Sequence, residues 1–283
     1  MNQKGGGVRR PAVALLGAPF DANSSYLRGA AEAPAAIRAA LYSEATNLWS
    51  ENGTDLGDGL LLSDAGDVAA GAGEDGFARI GEAVAGLLDR GLRPLVLGGD
   101  HAVSYPVIRE VAARHEGLTV IDFDAHPDLY DEYQGNRLSH ACPFARVMET
   151  GLVRRLVQAG IRTMNGQQRK QAARFGVEII PMKEWRGAIP GVKPPLYISF
   201  DLDVLDPAFV PGISHWEPGG FSVREAVDAI QCLPAGVVGA DIVECNPRRD
   251  PSGVTAAVAA KLLKEIAARM LETGARAAPR GRR

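Results

Sequence analysis

The chain has 283 residues, of which 46% are hydrophobic and 23% are charged. This composition supports a large buried core and excludes a disordered chain. The formal net charge is -3, which argues against a surface built to bind nucleic acid. Since no apolar run approaches the ~20 residues of a membrane span, we expect the partners to be small molecules or other protein chains.

The three cysteines, Cys142, Cys232 and Cys245, are an odd and scattered set with neither CxxC pairing nor secretory spacing. This usage favours reduced thiols in a reducing compartment, so we expect a cytoplasmic protein. Residues 1–11 are expected to form a loose tail rather than a signal peptide. Residues 274–283, small and basic without an apolar period, are expected to form a second tail.

Short apolar runs alternate along the chain with longer Ala-rich amphipathic stretches. Most of the short runs are apolar on both faces, which is typical of a parallel sheet covered by helices. The predicted strands are Val13–Leu16, Pro94–Leu97, Leu118–Phe123, Val157–Ile161, Val177–Ile180, Leu196–Phe200 and Val237–Val243. The predicted helices are Pro34–Leu41, Asp75–Leu88, Ser104–Arg114, Phe144–Glu149, Gln167–Phe175, Val223–Gln231 and Val254–Glu272. We therefore expect an α/β fold, a doubly wound parallel sheet forming a single domain over residues 1–283.

Carboxylates and imidazoles follow several of these strands directly. Ligands of a doubly wound sheet bind beyond the carboxyl ends of its strands, and side chains that alternate along an extended segment can converge on one point. Glu244 follows the last strand and adds a carboxylate to the same edge. The six candidate metal ligands at this edge are His101, Asp124, His126, Asp128, Asp201 and Asp203.

Two nitrogen and four carboxylate ligands are too many for one tetrahedral zinc ion and suit two divalent ions, with manganese favoured by the hard oxygens. In two-metal sites a bridging water becomes hydroxide near neutral pH. Four aspartates and one hydroxide leave such a site at about minus one, which tolerates a cationic substrate. A guanidinium fits because it pairs its hydrogen bonds with a carboxylate such as Glu244, and its weak electrophilicity calls for a metal-activated hydroxide.

Other interpretations of these residues are weighed beside this one. A single Asp or His after a strand is most often a helix cap or a loop residue, and Asp122 is expected to be buried and hydrogen-bonded. A nucleophilic pair of His140 with Cys142 or Cys245 would leave the aspartates without a role. Two further alternatives are a mononuclear zinc deacetylase, which six ligands argue against, and a catalytically silent structural subunit, which would usually have lost a ligand.

Four segments resemble the signature blocks of the ureohydrolase family, which includes arginases and agmatinases. They are GGDHAVSYP (98–106), DFDAHPDLYD (122–131), SFDLDVLDPAFVPG (199–212) and DIVECNP (241–247), and the resemblance covers nearly the whole chain. It implies an arginase-like three-layer fold and two Mn²⁺ per subunit. One ion would be held by His101, Asp124, Asp128 and Asp201, and the other by Asp124, His126, Asp201 and Asp203.

The resemblance also implies roles for residues around the metal ligands. His140 resembles a mobile histidine that returns a proton to the leaving amine, and Glu244 resembles the carboxylate that holds the guanidinium. Polar contacts to the far end of the substrate are expected from nearby loops, directly or through water. The candidate catalytic residues are His140, Asp128 and Glu244, and the candidate substrate contacts are Asn136, Ser139, Asn165 and Glu244.

Within the family, the segments 136–141, 160–165 and 214–220 most resemble the plant-type arginases. The expected reaction is hydrolysis of L-arginine to L-ornithine and urea. Agmatine giving putrescine, or another guanidino compound, is the alternative, because Asn165 stands where animal arginases carry an aspartate that reads the α-amine. His215 is interpreted as a structural residue of its loop, slightly in preference to a substrate contact. Family members commonly form trimers or hexamers, so a homo-oligomer is expected.

Overall fold

The computed structural model describes residues 12–71 and 74–272. The predicted tails, 1–11 and 274–283, lie outside the described residues. Within the described ranges, no helix is both long and apolar enough to cross a membrane.

Within residues 12–71 and 74–272, eight parallel strands form one sheet. They are β1 (Val13–Ala18), β2 (Leu62–Asp67), β3 (Arg93–Gly98), β4 (Thr119–Phe123), β5 (Arg155–Ile161), β6 (Glu178–Pro181), β7 (Leu196–Asp201) and β8 (Val237–Val243). Their order across the sheet is β2-β1-β3-β8-β7-β4-β5-β6, and every neighbouring pair is parallel.

In the described part of the chain, seven α-helices cover the two faces of this sheet. They are α1 (Ala33–Leu41), α2 (Glu74–Asp89), α3 (Ser104–Ala112), α4 (Pro143–Glu149), α5 (Gly166–Phe175), α6 (Val223–Cys232) and α7 (Val254–Leu271). Helices α1, α6 and α7 pack on one face and α2 to α5 on the other. Successive strand residues point to opposite faces, so Leu95 and Leu97 join one core and Val96 the other. The predicted doubly wound α/β fold is confirmed.

Strand β2 was not predicted from the sequence. Its segment, LSDAGD, is exposed at five of six positions and lies at an edge of the sheet, so it lacks the apolar run that marks the buried strands. Polar contacts tie it to the rest of the fold instead. The guanidinium of Arg38 in α1 hydrogen-bonds both carboxylate oxygens of Asp64 and forms an ion pair with Asp67.

The four strands that carry the predicted site residues are neighbours at the centre of the sheet. The order β3-β8-β7-β4 places the segments after Gly98, Val243, Asp201 and Phe123 side by side. Because all four strands are parallel, their carboxyl ends meet at one edge. The topology therefore brings together residues separated by more than a hundred positions.

Candidate metal centre

The first group of predicted ligands surrounds His101, whose side chain is fully buried. Its Nδ1 lies 3.2 Å from Asp124 Oδ2, 3.1 Å from Asp128 Oδ2 and 3.2 Å from Asp201 Oδ2. Among the described residues, neither His101 Nδ1 nor Asp124 Oδ2 has a hydrogen-bond partner, although both atoms are buried. Buried polar atoms without partners are costly and rare, and a cation between these atoms would satisfy all of them.

The hydrogen bond of the other ring nitrogen of His101 determines which nitrogen is free to bind a metal. Nε2 lies 3.1 Å from Ser199 Oγ, which donates to Asp241 Oδ1 at 2.7 Å, while the Tyr197 hydroxyl donates to Asp241 Oδ2 at 2.5 Å. Since the Ser199 proton points to the carboxylate, Ser199 Oγ accepts from Nε2–H. The Nδ1 lone pair then faces the three aspartates, the tautomer that metal-binding histidines need.

The second group lies around His126. Its Nδ1 is 2.9 Å from Asp203 Oδ2 and 3.6 Å from Asp124 Oδ1, and one ligand atom from each of the three residues falls within 4.8 Å of the others. The first group, His101 with Asp124 and Asp128, meets the same limit. Asp124 belongs to both groups, so the two sets of donor atoms are adjacent.

Backbone amides orient these carboxylates. His126 N donates to Asp124 Oδ1 at 2.6 Å, Asp203 N to Asp201 Oδ1 at 2.8 Å and Ala125 N to Asp203 Oδ1 at 3.1 Å. Each bond fixes one oxygen and directs the other toward the shared centre. The alternating sequence after each strand therefore folds into a turn that holds its own carboxylates in place.

The buried carboxylates of the two ligand groups repel one another, so a bound cation would stabilise their ionised forms. Burial and the carboxylates of Asp203 and Asp128 raise the pKa of Asp124 to about 6, and burial with Asp203 and Asp124 raises that of Asp201 well above its usual value. Burial opposes ionisation of Asp203 as well, but His126 outweighs it and lowers its pKa. Buried carboxylates in this proximity ionise together only beside a compensating cation.

Two site residues hold a backbone conformation that favours glycine. The φ angles of Asp128 and Glu244 are 45° and 64°, in the left-handed region. Such residues cost on the order of 1–3 kcal/mol and cluster at functional sites, where the surrounding structure holds them. The amide of Glu244 donates to the carbonyl of Gly99 at 2.9 Å and that of Phe144 to the carbonyl of Asp128 at 3.2 Å, which fixes both turns.

His140 and Glu244 form a buried pair beside the ligand groups. His140 Nδ1 lies 2.8 Å from Glu244 Oε1, which also accepts from the backbone amide of His101 at 2.9 Å. Burial lowers the pKa of His140, but the Glu244 carboxylate, with Asp128 and Asp100, outweighs it and raises the pKa to about 9. Burial opposes ionisation of Glu244 too, and His140 overcomes it, so the pKa of Glu244 is lowered.

A cavity of about 320 Å³ opens beside the two ligand groups and the His140–Glu244 pair. Its lining joins the predicted metal-site residues to aromatic and amide side chains from the segment after β4 and the segment after β5. The described residues that line it are Ser25, His126, Asp128, Tyr130, Tyr133, His140, Ala141, Thr163, Asn165, Gln168, Asp201, Asp203, His215 and Glu244.

Besides Glu244, three substrate contacts were predicted, and they differ in position. Asn165 lines the cavity, but its Oδ1 caps α5 by accepting from two backbone amides and its Nδ2 donates to the Tyr130 hydroxyl at 2.6 Å. Asn136 and Ser139 are outside the set of described lining residues. Asn136 bridges to Asn23 at 3.2 Å and accepts from the amide of Leu138. Ser139 Oγ accepts from the Ala141 amide at 3.3 Å.

Sequence reasoning missed several residues of the site. His215, interpreted as loop structure, lies on the cavity wall with its ring centroid 5.3 Å from that of His140 and 6.0 Å from that of His126. Glu217 Oε1, from the same loop, is 3.6 Å from His126 Nε2. Their spacing from Asp203 was the available signal, because this loop follows a ligand-bearing strand.

The alternative of a cysteine nucleophile is not favoured by this geometry. Cys142 and Cys245 are buried free thiols, and burial raises the pKa of each to about 12. The reactive form of cysteine is the thiolate, which burial suppresses here.

Asp122, expected to be buried and hydrogen-bonded, accepts from Gln158 Nε2 at 2.9 Å.

The fold agrees with the comparisons to known proteins. The model of the arginase family matches residues 11–268, and the chain belongs to that family. It is 46% identical to "Arginase 1, mitochondrial" of Arabidopsis thaliana over 93% of this chain and 82% of that protein. It is 35% identical to "Agmatinase, mitochondrial" of Gallus gallus over 90% and 79%.

Among solved structures, the chain is similar to the arginase from Medicago truncatula. The TM-score is 0.86 at 41% identity, and the match covers 92% of this chain and 88% of that one.

The expectation of a cytoplasmic protein is wrong. Arginases of Arabidopsis thaliana and Oryza sativa that the chain resembles carry mitochondrial or chloroplastic locations in their names, and cysteine usage alone does not distinguish these compartments.

Proposed function

We propose that this protein hydrolyses the guanidinium group of L-arginine to give L-ornithine and urea. The observation that carries the proposal is the pair of adjacent donor groups that share Asp124 and border a cavity lined by His140 and Glu244. Family membership and 46% identity to a plant arginase support the same reaction. The 35% identity to an agmatinase is lower, which favours arginine over agmatine.

The donor atoms fit two divalent ions. His101, Asp124, Asp128 and Asp201 would hold one, and Asp124, His126, Asp201 and Asp203 the other. The unpartnered buried atoms of His101 and Asp124 support this assignment. Carboxylate-rich ligation favours manganese. When bound, such ions lower the pKa of water and so supply a nucleophile at neutral pH.

Glu244 is the group proposed to bind the guanidinium. Both of its described hydrogen bonds end on Oε1, and the residue lines the cavity. Its lowered pKa keeps it ionised, so Oε2 is an acceptor for a cationic N–H donor. The substrate carbon would then lie between this carboxylate and the metal-site aspartates.

His140 is proposed to give its proton to the departing amine. Its ring lies on the cavity wall, and its raised pKa keeps a proton on it at neutral pH. An imidazolium is a suitable acid for an amine that leaves as a strong base. Asn165 lies on the same wall and is proposed to contact the far end of the substrate, with Asn136 and Ser139 acting through water or through the loop they stabilise.

The test is urea release from L-arginine and from agmatine, measured side by side on protein that has been loaded with manganese and freed of excess metal. We expect urea and ornithine in equal amounts from L-arginine and much slower release from agmatine. Faster release from agmatine would reassign the substrate. No urea from either compound, with metal bound, would refute the proposal and favour a silent subunit.

We also propose that residues 1–283 form a single ureohydrolase domain and that the protein assembles as a trimer or hexamer. The single described sheet and the family match over residues 11–268 support the first statement. Family membership supports the second. Sedimentation velocity of the metal-loaded protein measures the assembly directly, and a monomer at micromolar concentration would contradict it.

A further inference from the structure

Both ring nitrogens of His140 are engaged. Nδ1 lies 2.8 Å from Glu244 Oε1, and Nε2 lies 2.8 Å from the hydroxyl oxygen of Ser25. The His140 side chain is only 9% exposed, so these two contacts set the plane of the ring. Ser25 comes from the loop after β1 and lines the same cavity as His140.

The two partners of His140 differ in their hydrogen-bonding chemistry, because Glu244 can only accept whereas Ser25 can donate or accept. Ionised Glu244 only accepts, so it keeps a proton on Nδ1. Nε2 therefore donates when His140 is charged and accepts when it is neutral. A hydroxyl can do either by rotating about its C–O bond, so Ser25 can pair with Nε2 in both protonation states without moving the ring.

The loop that carries Ser25 is anchored to the site by bonds on both sides. Asn23 N donates to the buried carboxylate of Asp100 at 3.0 Å, and the amide of His140 donates to the carbonyl of Asn23 at 3.2 Å. On the other side, Ser214 Oγ donates to the carbonyl of Leu27 at 2.8 Å. These bonds hold the Ser25 hydroxyl at a fixed distance from the imidazole.

We propose that Ser25 is a positioning residue for His140, an inference that rests on the proposed function. It keeps the imidazole in one orientation before and after Nε2 gives its proton to the departing amine. The charged and titratable groups that face His140 are Glu244, Asp100, Asp128 and His215. Ser25 adds no charge to this set, so it holds the ring without changing the balance that sets its protonation.

The test compares the manganese-loaded wild type with Ser25→Ala, Ser25→Thr and Ser24→Ala. A hydrogen bond to a charged partner is worth enough to change a rate by roughly 10- to 100-fold, so Ser25→Ala should lower kcat by that range. KM and bound metal should stay within about twofold of wild type by this reasoning. The kcat plateau should fall while the midpoint of its pH profile stays in place, because no charge has been removed.

The other variants separate the hydroxyl from the loop. Ser25→Thr keeps the hydroxyl and should retain most of the rate. Ser24→Ala removes a neighbouring hydroxyl that donates to Asp100 at 3.2 Å and should behave nearly as wild type. Wild-type kcat in Ser25→Ala, or an equal loss in folded, metal-loaded Ser25→Thr, would overturn the inference.

A structural readout keeps the two proposals distinguishable. If the wild type releases no urea from any guanidino compound, the proposed function fails. Crystal structures of metal-loaded wild type and Ser25→Ala still decide the role of Ser25. We expect the His140 ring to turn or to lose order in the variant, and an unchanged, equally ordered ring would contradict the positioning role.

Discussion

Asp241 is linked to the proposed metal ligand His101 through Ser199, which pairs with both residues. It is fully buried, and its carboxylate accepts from the hydroxyls of Ser199 and Tyr197 at 2.7 and 2.5 Å. Asp241→Asn preserves the shape but replaces one acceptor oxygen by a donor. Ser199 then no longer has a guaranteed acceptor for its proton, and the His101 tautomer that presents Nδ1 is no longer enforced.

Loss of such an outer partner typically weakens metal binding by about 10- to 100-fold, which is about 1.4 to 2.7 kcal/mol. The assay is competitive titration of metal-free protein with Mn²⁺ against a chromogenic chelator. Asp250→Asn is the matched control, because Asp250 is also a buried aspartate but accepts from the Ala256 amide, away from the metal site. Wild-type metal affinity in folded Asp241→Asn would refute the reasoning.

Three further predictions follow from the same geometry. His126→Ala should lose one metal per chain and the activity together, whereas His140→Ala should keep both metals and lose rate; metal analysis beside kcat separates them, and normal turnover by His140→Ala would remove the proton-transfer role. Gly99→Ala should abolish folding or greatly reduce thermal stability, since an added Cβ would lie 1.7 Å from the carbonyl oxygen of Phe20; a wild-type melting temperature would contradict this. A neighbouring arginine and lysine lower the pKa of Glu51 from 4.5 to about 2, so its stabilising contribution is present above pH 4.5 and is lost as the pH falls toward 2. The difference in unfolding midpoint between wild type and Glu51→Gln should accordingly shrink over that range, and a constant difference would show that the ionised carboxylate contributes nothing.

The central strands and the residues at their carboxyl ends could be predicted because both depend on local sequence. Buried parallel strands are continuous apolar runs, and the alternation of Asp124, His126 and Asp128 survives in the folded turn. Strand β2 could not be predicted in this way, because an exposed edge strand is held by side-chain contacts from α1, which its own sequence does not show. Its polar sequence is typical of a loop.

The outer part of the site depends on contacts between distant segments. Ser25 reaches His140 across 115 positions, and Ser199 pairs with Asp241 across 42. Neither serine carries a local signal, since a serine in a loop or a strand is most often only a structural or solvated residue. Asn165 has a role that its polar character alone did not reveal, because its side-chain oxygen also caps α5.

The proposed function depends on two adjacent groups of side chains at one edge of the sheet, each of which is proposed to bind a divalent ion. Anomalous diffraction at the manganese edge, from crystals of the manganese-loaded protein, tests it most directly. We expect two anomalous peaks, one bonded to Nδ1 of His101 and the other to Nδ1 of His126, with Asp124 contacting both. A single anomalous peak, or no peak at this edge of the sheet, in protein that hydrolyses L-arginine would contradict the assignment of two metal sites.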